Sequence, residues 1–128
     1  MSFVLGKRSL KRMQGIHPDL YAIVRYAITL TEVDFTVLEG KRNLKRQKKL
    51  LEKGATKTLN SRHLTGHAID LGAWVDGTIS WEWEFYDKIS EAMFKSAETL
   101  NIPLEWGGNW KSFKDGPHFQ LPWRQYPK

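Results

Sequence analysis

Ser61-Arg62-His63-Leu64-Thr65-Gly66-His67-Ala68-Ile69-Asp70 places two imidazoles and one carboxylate within ten residues. His63 and His67 are four apart, the spacing of a helical metal pair, but Gly66 lies between them and no glutamate follows His63. Gly66 favours a turn at that point. Beyond it the pattern has period two. Ala68, Asp70 and Gly72 fall on one side, and His67, Ile69 and Leu71 on the other. The segment therefore reads as a turn carrying His63, followed by a strand over 67–74 that carries Asp70.

Working outward, Asp76-Gly77 is a turn signal between that strand and Thr78-Ile79-Ser80, so a β-hairpin is expected. A helix over 82–100 follows, with Phe85, Ile89, Ala92, Met93, Ser96 and Leu100 as its buried stripe, and Pro103 bars its continuation. Residues 106–110 read as a loop, and 118–121 as a last short strand. Upstream, Leu20, Ile23, Val24, Ala27, Ile28 and Thr31 recur at helical spacing, predicting a helix over 18–31 that opens with Pro18-Asp19. Val33, Phe35 and Val37 alternate with Asp34, Thr36 and Leu38, predicting a strand over 33–38 that Glu39-Gly40 ends. Residues 41–53 read as a helix closed by Gly54, with a thin buried stripe of Leu44, Gln47 and Leu51 and a solvated basic face. This order predicts an α+β fold, a small antiparallel sheet flanked by helices. The 128 residues fit one domain, over 1–128.

Composition narrows the chemistry. The apolar fraction of 41% supports a globular core. No cysteine is present, so only His, Asp and Glu remain as strong metal ligands. No apolar run is long enough to span a bilayer, and Phe3-Val4-Leu5 is too short for a secretory signal core. The expectation is a chain made in the cytoplasm, without signal peptide or membrane insertion. The net charge of +6 suits a polyanionic partner, nucleic acid or bacterial envelope polymer among them.

A second cluster, Asp115-Gly116-Pro117-His118, adds a carboxylate and an imidazole three residues apart. A catalytic zinc site takes three protein ligands and keeps one position open. His63, Asp70 and His118 could supply two nitrogens and an oxygen, leaving Asp115 free as a base. Spacing alone does not decide between that site and separate structural roles. His17, beside Pro18, reads as a residue at the start of a helix or on the surface. His67 alternates away from Asp70 and reads as packing or hydrogen-bonding. Trp106 and Trp110 suit either a cleft or a core.

The run Ser61-x-His63-x-x-Gly66-x-Ala68-x-Asp70, followed by Asp115-x-x-His118, resembles the paired motifs of the D-alanyl-D-alanine carboxypeptidase and dipeptidase superfamily of zinc peptidases. It is most similar to the L-alanyl-D-glutamate endopeptidase branch, which includes bacteriophage endolysins. Ile16-His17-Pro18-Asp19-Leu20, Glu39-Gly40-x-Arg42 with Gln47, and Trp106-Gly107-Gly108-Asn109-Trp110 extend the likeness over nearly the whole chain. Asn109 departs from it, where an aspartate is expected.

The resemblance implies a Hedgehog/DD-peptidase-like fold, one Zn2+ held by His63, Asp70 and His118, Asp115 as the catalytic carboxylate, and Arg42 facing the substrate carbonyl. It implies Ser61 in a supporting position, with Gln47, Trp106 and Trp110 supporting the site or binding substrate. The implied activity is cleavage of the L-alanyl-D-glutamate bond in the peptidoglycan stem peptide for host lysis. The implied setting is a monomer without a separate wall-binding domain, reaching the wall or periplasm through a separate holin-type protein. Two rivals accompany this reading. A D-alanyl-D-alanine carboxypeptidase would share the motifs. A nucleic-acid-binding module would use Lys7, Arg8, Lys11, Arg12 and the basic run 41–53, but no standard nucleic-acid motif accompanies them.

Overall fold

The computed structural model describes residues 3–56, 58, 60–112 and 114–127. In chain order its elements are α1 (Lys7–Arg12), α2 (Pro18–Leu30), β1 (Phe35–Glu39), α3 (Leu44–Glu52), β2 (Ala68–Val75), β3 (Thr78–Ser80), α4 (Trp83–Leu100), β4 (Glu105–Trp106) and β5 (His118–Gln120). Short 3-10 turns, Arg62–Thr65 and Gly107–Asn109, precede β2 and follow β4.

All strand pairs are antiparallel, in the order β1-β2-β5-β4, with β3 also on β2. β2 is the central strand. Asp70 lies opposite Glu39 on one side and His118 on the other. Strand alternation then divides the sheet cleanly. Phe35, Val37, Ile69, Leu71 and Phe119 are opposed pairs or same-face neighbours and are almost fully buried. Against this side pack the helices, where α2 contributes Leu20, Ile23, Val24 and Ala27, and α4 contributes Tyr86, Ile89 and Met93. The Ser96 hydroxyl donates to the Ile23 carbonyl at 2.7 Å, tying α4 to α2. Asp70, His118, Gln120 and Glu105 lie on the opposite face.

The register shifts between Val37 and Glu39. The extra residue turns Glu39 to the Asp70 face, where strict alternation from Val37 would have sent it into the core. The other edge of β1 is covered by α1, a helix that the sequence pattern left unassigned. Ser9 Oγ accepts from the Val37 amide at 3.0 Å, and Arg12 Nη1 donates to the Val37 carbonyl at 3.0 Å. An edge strand so covered is closed to further pairing.

Two stripes differ from expectation. α3 starts only at Leu44, because the Asn43 side chain caps it by accepting from the Arg46 amide at 2.8 Å. Its buried residue is Gln47, while Leu44 and Leu51 are exposed. On α4, Leu100 is exposed in the last turn, and Tyr86 and Ala97 are buried instead. Of residues 106–110, expected as a loop, Trp106 ends β4, 107–109 form the second 3-10 turn, and only Trp110 is irregular.

Candidate metal centre

The first 3-10 turn presents His63. Ser61 caps the turn, its Oγ accepting from the His63 amide at 3.2 Å. The turn closes at Gly66 with φ +77°, a left-handed conformation that suits glycine. A Cβ there would also lie 2.5 Å from the Gly15 carbonyl oxygen, so no other residue fits without moving backbone. β2 delivers Asp70 and β5 delivers His118, directly opposite each other in register. The nitrogens of His63 and His118 approach the same Asp70 oxygen, at 3.2 and 3.1 Å. One ligand atom from each of the three residues falls within a 4.8 Å cluster.

This donor set fits a tetrahedral cation. Ligands about 2.0–2.1 Å from zinc lie roughly 3.3 Å from one another, close to the separations found. Each ring is also oriented from behind. His63 Nδ1 donates to the Gly40 carbonyl at 2.8 Å, which leaves Nε2 free to coordinate. His118 Nε2 lies 2.7 Å from Gln120 Oε1, which leaves Nδ1 facing Asp70. Ligating histidines commonly use their second nitrogen this way.

Burial favours a protonated Asp70, but hydrogen bonds from His118 and His63 and their charge outweigh it and hold the carboxyl far below its usual range. For His118, burial pulls the pKa down, yet the bond to Asp70 wins and the net shift is upward. Both shifts describe a carboxylate held between two potential cations, the charge pattern that a metal ion would replace.

Arg42 precedes α3, its amide bonded to the His63 carbonyl at 2.8 Å. Its guanidinium is buried. Nη1 donates to Gln47 Oε1 at 2.8 Å, Nη2 donates to Glu39, and Asp70 Oδ2 lies 3.9 Å away. Its Nε–H is buried and has no protein acceptor among the described residues. Gln47 is fixed in turn by its amide, which donates to the Thr58 carbonyl at 2.6 Å. The buried glutamine of α3 thus serves as a brace for Arg42.

Asp115 lies apart from the three-residue cluster, on the same cavity, and no side-chain hydrogen bond holds its carboxylate among the described residues. Burial and the Asp70 charge raise its pKa, against the attraction of His118, His63 and Arg42. Its backbone is pinned at Gly107, where a Cβ would lie 2.4 Å from the Asp115 carbonyl oxygen.

These groups line one cavity of about 690 Å³, together with Ser61, Trp110, Glu105, Gln120, Arg62 and Trp123. The two candidate tryptophans separate. Trp110 lines the cavity, its ring centre 5.1 Å from that of His118. Trp106 is not part of the lining. It is buried against Phe119, and its indole N–H donates to the Gly116 carbonyl at 2.6 Å. The position of Trp106 follows from alternation, since it pairs with core-facing Phe119.

His67 and His17 lie elsewhere. His67 Nδ1 is 2.6 Å from Thr65 Oγ1, and His17 caps α2 by accepting from the Asp19 amide at 3.0 Å. Arg62, between Ser61 and His63, is buried. Nη2 donates to the Leu121 and Tyr126 carbonyls at 2.8 and 2.6 Å, and the guanidinium stacks 4.2 Å from the Trp123 ring centre. The sequence pattern did not single out Arg62, Trp123, Glu105 or Gln120. Only Gln120 carried a local signal, as it lies two residues from His118 on a strand and so shares its face.

A family model for phage L-alanyl-D-glutamate peptidase matches residues 1–121. The chain is 30% identical over 119 residues to the L-alanyl-D-glutamate peptidase of Escherichia phage T5, a match that covers 90% of this chain and 87% of that protein. It is 36% identical over 103 residues to the peptidoglycan L-alanyl-D-glutamate endopeptidase CwlK of Bacillus subtilis, covering 70% of this chain and 61% of CwlK. The crystal structure of the Serratia marcescens L-Ala D-Glu endopeptidase ChiX matches with a TM-score of 0.93 at 45% identity, over all of this chain and 95% of ChiX.

Proposed function

The chain belongs to the phage L-alanyl-D-glutamate peptidase family, and on that premise we propose that it is a zinc endopeptidase cleaving the L-alanyl-D-glutamate bond of the peptidoglycan stem peptide. One observation carries the reading. His63, Asp70 and His118 converge on a single cluster, in a cavity that Asp115 and Arg42 also line. Zn2+ held there by His63, Asp70 and His118 supplies Lewis acidity, polarising a carbonyl and lowering the pKa of water toward about 7.

The chain's own groups do the rest. Asp115 takes a proton from the attacking water and delivers it to the leaving amine. Its raised pKa suits the first half of that task, because a more basic carboxylate takes the proton more readily. Arg42 faces the oxyanion of the tetrahedral intermediate. Its charge is permanent, and Gln47 and Glu39 hold the planar group in place before substrate arrives. Trp110 forms part of the cleft wall, and Ser61 sets the turn that presents His63.

On this reading residues 1–128 act as one catalytic domain. The protein works as a monomer on the wall of a lysing host, let through the membrane by a separate holin-type protein. No helix among the described residues is long and apolar enough to cross a membrane. The exposed lysines of α3, Lys45, Lys48 and Lys49, are absent from the cavity lining, as expected of a solvated face.

Mass spectrometry of digested peptidoglycan tests the activity. The expected products carry new amino termini on D-glutamate, with reducing sugar ends unchanged. Release of free D-alanine would instead assign a carboxypeptidase, and new reducing ends a glycosidase.

A further inference from the structure

Behind His118 runs a hydrogen-bonded chain whose polarity is set at its outer end. Glu105 on β4 lies directly opposite Gln120 on β5. Its ionised carboxylate can only accept, and it sits 3.0 Å from Gln120 Nε2. That contact requires the amide nitrogen to face Glu105, so the amide oxygen must face the other way. There Gln120 Oε1 meets His118 Nε2 at 2.7 Å. An amide oxygen can only accept, so His118 carries a proton on Nε2, and Nδ1, 3.1 Å from Asp70, is the nitrogen left for a metal to take. A half-turn of the Gln120 amide would set NH2 against N–H at one end and oxygen against carboxylate at the other. Both contacts would then be repulsive.

We propose that Gln120 and Glu105 are positioning residues that fix the tautomer and ring orientation of His118, and so select the nitrogen it gives to the metal. The inference rests on the metal reading above and extends it to two residues outside the ligand set. His63 needs no such device, because its partner is the Gly40 backbone carbonyl, which cannot flip. His118 depends on a side chain that can, and Glu105 is the group that prevents it. Gln120 is buried and Glu105 exposed, so the chain leads from the metal centre to the rim of the cavity.

The test is the zinc dissociation constant of purified protein, measured in competition with a chromophoric chelator. Gln120→Leu should weaken zinc binding about 10- to 100-fold, the usual cost of losing such a partner. Glu105→Ala changes an exposed side chain and leaves the core intact, and it should cause a smaller loss, at least about threefold. The double exchange Gln120→Glu with Glu105→Gln restores both hydrogen bonds with the carboxylate moved one link inward, and should bind zinc at least as tightly as wild type. Binding within twofold of wild type in either Gln120→Leu or Glu105→Ala would overturn the proposal. So would a double exchange as weak as Gln120→Leu, because the residues would then only fill space. Wild-type protein that holds no zinc would overturn the metal reading itself, and this inference with it.

Discussion

Arg42→Lys separates a positioned charge from a merely present one. The guanidinium makes two directed contacts at once, Nη1 to Gln47 and Nη2 to Glu39, while Asp70 lies 3.9 Å from Nη2. A lysine ammonium is a point charge on a flexible stem and cannot reproduce the fork. It keeps the ion pair with Glu39 or the bond to Gln47, not both in the same geometry. Losing one charge-assisted hydrogen bond in a buried setting costs about 1.5–3 kcal/mol of stability. The catalytic loss is a separate quantity. If Arg42 stabilises an oxyanion that exists only along the reaction, its displacement resembles removal of one oxyanion donor, about 10²–10³ in kcat. The assay pairs urea denaturation with steady-state kinetics on a soluble peptide containing the L-alanyl-D-glutamate bond. The expected result is a lowered midpoint, a large fall in kcat and little change in KM. Wild-type kcat with a raised KM would overturn this role, because Arg42 would then bind ground-state carboxylates and nothing more.

Exhaustive chelation should abolish activity and added zinc restore it, with His63→Ala, Asp70→Ala and His118→Ala unable to recover; His17→Ala and His67→Ala should retain stoichiometric zinc by elemental analysis. Asp115→Asn should keep zinc but lose about 10²–10⁴ in turnover, and loss of zinc from that variant would make Asp115 a ligand. The same substitution should stabilise the metal-free fold. The raised folded pKa of Asp115 means that the native state binds more protons, so stability falls as pH rises from the ordinary carboxylate range through that pKa; thermal melts should show the variant ahead of wild type above this window and level with it below. Gly66→Ala combines a left-handed φ of +77° with a Cβ 2.5 Å from the Gly15 oxygen; the φ alone costs about 1–2 kcal/mol, and zinc affinity should fall with stability because this turn carries His63.

The strand alternation legible in the sequence carried much of this geometry. Asp70 and the neighbours Ile69 and Leu71 fall on opposite faces of β2, as period two requires. The Asp76-Gly77 turn is equally local, with both residues at positive φ. What stayed hidden depends on contacts distant in sequence. α1 has six residues and no long apolar stripe; its place comes from Ser9 and Arg12 bonding to Val37, some 25 residues on. The bulge that turns Glu39 toward Asp70 leaves no periodic trace, since it breaks the period. Gln47 looked like one member of a leucine stripe, yet it is the residue α3 buries because Arg42 and Thr58 satisfy its amide. Arg62 carries no local signal, because its carbonyl partners, Leu121 and Tyr126, lie about 60 residues away.

Both imidazoles of the metal centre donate to uncharged acceptors, the Gly40 carbonyl and the Gln120 amide. This choice has a chemical consequence. A carboxylate in either place would make the imidazole more basic, and a more basic ligand shares more electron density with the cation. Neutral acceptors fix the ring just as firmly without that transfer, so they leave a bound dication the stronger Lewis acid. The negative charge nearest a bound cation would then come from Asp70, with Asp115 on the same cavity, while Arg42 is already balanced by Glu39. Glu105 has the carboxylate that could have stood against His118, but it is held one amide further out. The double exchange of Gln120 and Glu105 moves that charge inward by one link. It should therefore divide binding from turnover: zinc held at least as tightly, and kcat lower, because the ion it holds is less electrophilic. If kcat and zinc affinity rise together in that variant, the neutral acceptors were not selected for Lewis acidity.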